Sequence, residues 1–345
     1  MSLQPRARTS EDGRSPCWTI LLPGWETLRA RLGAGGSSWL ERLLARGALE
    51  SREAPTTHAA IAAAITGDPA ALRRWAPGPV CAVADGIDGQ SANLLRLDPV
   101  HLEPAGDGLV PGPPGPVDRV AADALARSIE DALGGQPRPR VGAPERWYAD
   151  LAVPDGTHWT EPDEAFGRDA YDTMPAGPGG GALKRLMSEI QMVLHEHPVN
   201  RSRAAVGLPE INSVWVWGWS QPGRRPPPVW RGTVFGDHAY ARGLAGLAGA
   251  DRMPAAAPAP VAPAWPDRGL KVCDEPWRAL QAGDEAEAAR LFERFDRSWG
   301  EPLLRALQRR RLRGLRLIVG RRVYSLGSAR AWQVWRRRPA DGTDP

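Results

Sequence analysis

The chain has 345 residues, 42 % of them apolar, and a formal net charge of +4, which allows one large or two ordinary domains with a sizeable core. Residues 1–16 are polar and lack the apolar stretch of a signal peptide, and the apolar runs fall well short of the ~20 residues a membrane span needs. Cys17, Cys81 and Cys273 are far apart and show no metal-ligand or redox spacing, so reduced thiols in a cytoplasmic protein are expected.

In chain order, CWTILL (17–22) reads as a buried strand ended by Pro23-Gly24. WLERLLAR (39–46) reads as a helix, with Ser37 or Ser38 as its cap and Gly47 as its stop. A second, Ala-rich helix is predicted over His58–Ile65, and a short strand over PVCAVA (79–84). Strand, helix, helix, strand is the order of an α/β sheet. From Ala92 to Arg168 the texture changes. Short extended pieces at 93–97 and 99–102 alternate with Pro/Gly loops, a helix is predicted over 117–133, and RWYADL (146–151) is strand-like. A small α+β insertion fits this stretch.

The densest part of the chain is ALKRLMSEIQMVLHEHPVNRSRAAVGLPEINSVWVWGW (182–219). Leu183, Leu186, Met187, Ile190 and Leu194 recur every three or four residues, so they share one helix face, and Pro198 ends that helix. INSVWVWG then reads as a strand with Val214 and Val216 on one face and Trp215 and Trp217 on the other. Both faces are apolar, which suits a strand buried in a parallel sheet between helices. Residues 252–268 hold five prolines and read as a stiff connection. A strand at 269–273, a helix from 284 to 299 with its continuation from 302, and paired strands over 315–327 follow, and AWQVWRRR (331–338) closes the domain.

Few constellations carry chemistry. His195-Glu196-His197 places its histidines two apart, whereas a zinc helix needs them four apart to share a face. A structural role at the helix end fits better, and no metal site is assigned. Gly177–Gly181 ahead of a helix is not a Walker loop. Asp85-Gly86-Ile87-Asp88-Gly89 lacks the later ligands of a calcium loop and reads as a turn. Neither a nucleophile elbow nor a dinucleotide fingerprint is present. Between Glu301 and Arg338 there are twelve arginines and one acidic residue. This reads as a solvated helix face with snorkelling arginines, and nucleic acid is not expected as a partner.

Two resemblances come from these motifs. EIQMVLHEHPVN followed by LPEINSVWVWGW, with LDPVHLEP (97–104), RWY (146–148) and AWQVWRRR, resembles the RpfE-type bacterial regulatory protein family, whose members are often labelled phosphoglycerate mutase. HPVNRSRAAVGLPEINSVWVWG, VFGDHAYARGLAGLAGA (234–250), WLERLLARG (39–47), APTTHAAIAAAITGDP (54–69) and the segment 273–307 are similar to the archaeal-type, cofactor-independent phosphoglycerate mutases of the alkaline phosphatase superfamily. That resemblance implies an α/β fold, an alkaline-phosphatase-like core with a mostly parallel sheet between helices. It also implies two divalent metals that activate a Ser or Thr nucleophile, which falls here at Thr56 or Thr57.

The departures are specific. The first strand ends in Pro23-Gly24 where such enzymes carry a metal-binding Asp. No Asp follows the Thr pair directly. Asp274 and Glu275 remain, but the nearby His is replaced in the Trp277-Arg278 region, and the late strand ends in Gly320-Arg321-Arg322. The expectation is a repurposed scaffold, leaning away from catalysis, with no metal and no cofactor. It would hold an anionic small molecule or a protein partner in a regulatory role, with His195, His197, Asn200, Asn212 and Arg321 at the ligand. The alternatives are an active mutase or phosphotransferase with a rearranged site and an arginine-rich nucleic-acid-binding regulator. Core halves are expected at 15–90 and 182–338, an inserted lobe at 95–180, and disordered tails at 1–14 and 339–345. Strands 17–22 and 212–218 are expected in one sheet.

Overall fold

The computed structural model describes residues 18–32, 38–88, 91, 93–219, 227–261 and 265–333. The two tails, Cys17 and most of the closing AWQVWRRR lie outside them. Strand β1 (Trp18–Leu22) is followed by α1 (Trp25–Leu32), α2 (Trp39–Arg46) and β2 (Ala48–Ser51). The Ser38 hydroxyl caps α2 by accepting from the Glu41 N–H at 3.1 Å, and Leu40, Leu43 and Leu44 form the buried face. Next come α3 (Thr57–Thr66), α4 (Ala71–Arg74) and α5 (Pro77–Ala84).

The run 79–84, expected as a strand, is therefore helical. A short run buried on all sides has no periodicity to separate helix from strand, and proline at the first helical turn is already set for a helix. The helix also needs its glycine. A side chain on Gly78 would meet the Leu94 and Gly218 carbonyls at 2.6 and 2.7 Å.

The chain then leaves the first sheet. It forms β3 (Leu94–Ala105), β4 (Gly108–Gly112), α6 (Arg119–Ala132), β5 (Arg140–Ala143) and β6 (Arg146–Asp150). Two single-turn helices follow, α7 (Pro162–Ala165) and α8 (Ala170–Thr173), and then α9 (Gly180–Leu194), α10 (Pro198–Ala205) and β7 (Ser213–Trp217). It returns through β8 (Thr233–Phe235), α11 (Ala239–Leu247), β9 (Asp251–Met253), β10 (Gly269–Val272), α12 (Glu275–Gln281) and α13 (Glu285–Phe295). A π-helical turn at Asp296–Gly300 leads into α14 (Glu301–Gln308), then β11 (Gly314–Val319), β12 (Arg322–Gly327) and α15 (Ser328–Ala331).

The first sheet has the order β2-β12-β11-β1-β10-β8-β9. Every pairing from β11 to β9 is parallel, and only β11–β12 and β12–β2 are antiparallel. This is the expected mixed α/β architecture with a mostly parallel sheet. Separate apolar clusters cover the two faces of that sheet, one built on Trp18, Trp25 and Trp299 and the other on Ile61, Val80 and Tyr240.

The second sheet is antiparallel, with the order β4-β3-β6-β5 and β7 paired to β3. Here the structure corrects the sequence reading. Strand β7 does not share a sheet with β1; it pairs antiparallel with β3 from Arg96↔Trp217 to Val100↔Ser213. An all-apolar strand shows that both its faces are buried, and an antiparallel strand between a helix and a neighbouring domain face meets that condition as well as a parallel one. Helices α9 and α10 go with β7, so the second-sheet segment runs on to Trp217 instead of closing at 180. Its core joins Leu183, Met187, Ile190 and Leu194 to Val214 and Trp215. Among the described residues no helix is long and apolar enough to cross a membrane.

Candidate functional site

Parallel α/β sheets bind ligands beyond the C-terminal ends of their strands. At the ends of β1, β8 and β10 lies a cavity of about 480 Å³, roofed by β3, β7 and the 113–117 loop of the second sheet. Pro23 comes from the end of β1, Asp237 and His238 from the end of β8, and Asp274 from the end of β10. Thr57 and His58 begin α3, and Arg96, Asp98 and Trp217 point down from the second sheet.

Two buried ionic groups organise the cavity. In the first, the Arg96 guanidinium grips Asp98 with both arms, Nε to Oδ1 at 2.9 Å and Nη2 to Oδ2 at 2.8 Å. Trp217 Nε1 donates to the same Oδ2 at 2.8 Å, and the guanidinium stacks 4.7 Å from the Trp217 ring centre. Burial raises the Asp98 carboxyl above its ordinary value even with Arg96 attached. In the second, Glu161 accepts from the Thr56 hydroxyl and sits 2.6 Å from His58 Nδ1. Burial opposes a charge on His58, but the Glu161 carboxylate and hydrogen bonds to Glu161 and Cys81 outweigh it and raise the imidazole to about 10.

His238 shows the opposite behaviour. Its ring centre lies 5.0 Å from that of His58. Burial, with the charges of His58 and Arg96 added, pushes it well below the ordinary imidazole value, and its buried Nδ1 has no partner. At the outer wall Arg146 donates to both oxygens of Asp85, which also accepts from the Tyr148 hydroxyl at 2.6 Å. The segment read from sequence as a turn thus also supplies an anchor for the second sheet.

The residues expected at a ligand are placed as follows. Thr57 lines the cavity. Thr56 caps α3 by accepting from the Ala59 N–H at 3.2 Å while donating to Glu161, so its hydroxyl is engaged on both sides. His195 is the exposed C-cap of α9. His197 caps α10, with Nδ1 accepting from the Val199 N–H and Nε2 3.0 Å from Ser128 Oγ. Asn200 bonds to Leu194 and Ile211, and Asn212 exchanges two hydrogen bonds with the Leu102 backbone. These four fix the connection between α9 and β7, and none lines the cavity. Arg321 is likewise away from it, exposed in the β11–β12 turn with its backbone N–H on Glu26. Sequence reasoning missed Glu161, His58, Arg96, Asp98 and His238. Each belongs to a different local segment, apart from the Arg96/Asp98 pair on one strand face.

The two-metal centre implied by the resemblance does not fit these residues. Pro23 offers no donor at the end of β1. Asp274 meets Arg278 at 3.0 Å in place of a cation. Among the described residues no three His, Cys, Asp or Glu side chains are placed to hold an ion.

Comparison with known proteins bears on the relationship. No protein-family model matches the chain. It is 33 % identical over 95 residues to the 2,3-bisphosphoglycerate-independent phosphoglycerate mutase of Methanothrix thermoacetophila, covering 27 % of this chain and 24 % of that protein. The corresponding Geobacter sulfurreducens protein is 29 % identical over 150 residues, 41 % of this chain and 36 % of that protein. The matched regions thus span about a quarter to a third of these relatives. Among solved structures, the cofactor-independent phosphoglycerate mutase of Thermoplasma acidophilum aligns over 91 % of this chain and 90 % of its own at 16 % identity, with a TM-score of 0.39. A Pyrococcus horikoshii protein aligns over 90 % and 87 % at 16 % identity, with a TM-score of 0.45. The chain is homologous, through part of its length, to the cofactor-independent phosphoglycerate mutases.

Proposed function

We propose that this chain is a repurposed relative of cofactor-independent phosphoglycerate mutase, which holds a small ligand in the cavity between its two sheets and does not carry out two-metal phosphoryl transfer. A regulatory role of the RpfE type fits that reading. One observation carries it: the Asp274 carboxylate, retained from the metal-binding segment of the resembling enzymes, is paired with the Arg278 guanidinium. A guanidinium fork satisfies a carboxylate without a metal and repels a cation brought beside it. The loss of a donor at Pro23 and the placement of Arg321 at an exposed turn support the same conclusion.

The test is a phosphoglycerate mutase assay on the purified full chain with and without manganese. No manganese-dependent turnover is expected. Manganese-dependent interconversion of 3- and 2-phosphoglycerate, abolished by Thr57→Ala, would overturn the proposal in favour of an active enzyme with a rearranged site.

A further inference from the structure

The charges that line the cavity do not suit a phosphorylated ligand. Six carboxyl groups face it, from Asp98, Glu145, Glu161, Asp163, Asp237 and Asp274, against three guanidinium groups and the His58 imidazolium. All three guanidinium groups are already committed: Arg96 to Asp98, Arg146 to Asp85 and Glu145, and Arg278 to Asp274. An incoming anion would have to displace a carboxylate from each arginine it used.

The unsatisfied group is an acceptor. Asp274 is 6 % exposed and lines the cavity. Its Oδ2 bonds to Arg278, while its buried Oδ1 has no partner. The next residue, Glu275, also keeps a buried carboxylate oxygen, Oε2, without a partner. Two adjacent carboxylates thus share one guanidinium that is half exposed. Burial raises the Asp274 carboxyl and Glu275 adds to this, while Arg278 only partly offsets it. A buried polar atom left without a partner costs about 1–3 kcal/mol, more when charged, and such atoms are rare in folded proteins.

Helix α12 supplies the rest of a recognition surface. Asp274, Trp277, Arg278 and Gln281 are spaced three and four apart and all line the cavity. The Trp277 ring is fixed in place. It packs against Gly24, whose φ of +63° favours glycine and where an added Cβ would lie 2.0 Å from Trp277 Cε3. A carboxylate oxygen beside an indole face is a pairing that recognises an ammonium group.

We infer that the cavity takes a small organic amine whose ammonium group donates to Asp274 Oδ1 beside the Trp277 indole. This rests on the reading of the chain as a ligand-binding scaffold and specifies the chemical class of the ligand.

The test is calorimetric titration of the full chain, in chelator-treated buffer, with 1,4-diaminobutane, its neutral analogue 1,4-butanediol, and 3-phosphoglycerate. Saturable binding is expected for the diamine alone. Asp274→Asn should weaken it about tenfold or more, the scale of a lost charge-assisted contact. Arg278→Gln should tighten it, because the competing guanidinium is gone; this gain keeps the test decisive if the Asp274 variant folds poorly. Equal binding of diamine and diol, binding of 3-phosphoglycerate in place of the diamine, unchanged affinity in Arg278→Gln, or no diamine binding up to about 10 mM would each overturn the inference. A separate titration with Mn²⁺ distinguishes the sources of failure. Tight Mn²⁺ binding lost in Asp274→Asn would mean that a metal site survives and would sink the parent proposal too. Failure of the amine alone leaves that proposal standing.

Discussion

Asp98→Ala is expected to destabilise the folded chain by about 3–5 kcal/mol, the range for removing one partner of a buried ion pair. The substitution leaves the Arg96 guanidinium buried with its two-armed partner gone, and it strips Trp217 Nε1 of its acceptor. Arg96 cannot shed its proton to escape the cost, since a guanidinium stays charged under ordinary conditions. The same pair joins β3 to β7 across the sheet, so the loss should reach the pairing that seats the whole lobe. Equilibrium unfolding in urea measures it: a lowered midpoint with an unchanged slope is expected. Asp98→Asn, which keeps an acceptor for Trp217, should cost less. A loss below about 1 kcal/mol for the alanine variant would place Arg96 in contact with water and contradict the buried geometry.

Glu161→Ala is expected to have the second-largest effect, and this one depends on pH. Glu161 is 3 % exposed and anchors both the cap of α3, through Thr56, and the His58 ring. The folded imidazole is raised from 6.5 to about 10, so the folded state binds a proton more tightly than the unfolded state does. The stability this contributes is full below about pH 6.5 and is lost as pH rises through about 10. The gap in unfolding free energy between the native chain and Glu161→Ala should therefore be widest near pH 6 and narrow steadily towards about pH 10. A gap that stays constant over that range would show that His58 gains no charge stabilisation from Glu161.

Local chemistry made much of the fold readable in advance. Strand β1, helices α2, α3, α6 and α9 and the β11–β12 hairpin all follow from periodicity, caps and breakers that lie within a few residues of one another. Ser38, Thr56 and Gly67 cap or stop their helices within the chain segments that show them. What could not be read was partnership. The apolar run at 79–84 has no period, and only its neighbours make it a helix. The all-apolar β7 announces burial but not which sheet buries it. The cavity was hidden for the same reason. Glu161 stands 105 residues from Thr56 and Trp217 stands 119 from Asp98, so no spacing rule connects them. The residues that sequence made conspicuous, His197, Asn200 and Asn212, are those whose hydrogen bonds are local to the α9–β7 connection and its β3 neighbour.

The central claim is that the phosphoglycerate mutase relationship survives in this chain without the metal pair that such chemistry needs. Elemental analysis of the full chain, purified without chelators and dialysed against metal-free buffer, tests it most directly. Substoichiometric manganese and zinc are expected, with no gain in thermal stability when either is added back. Two tightly retained divalent ions per chain would contradict the account and restore a phosphoryl-transfer site at the ends of β1, β8 and β10.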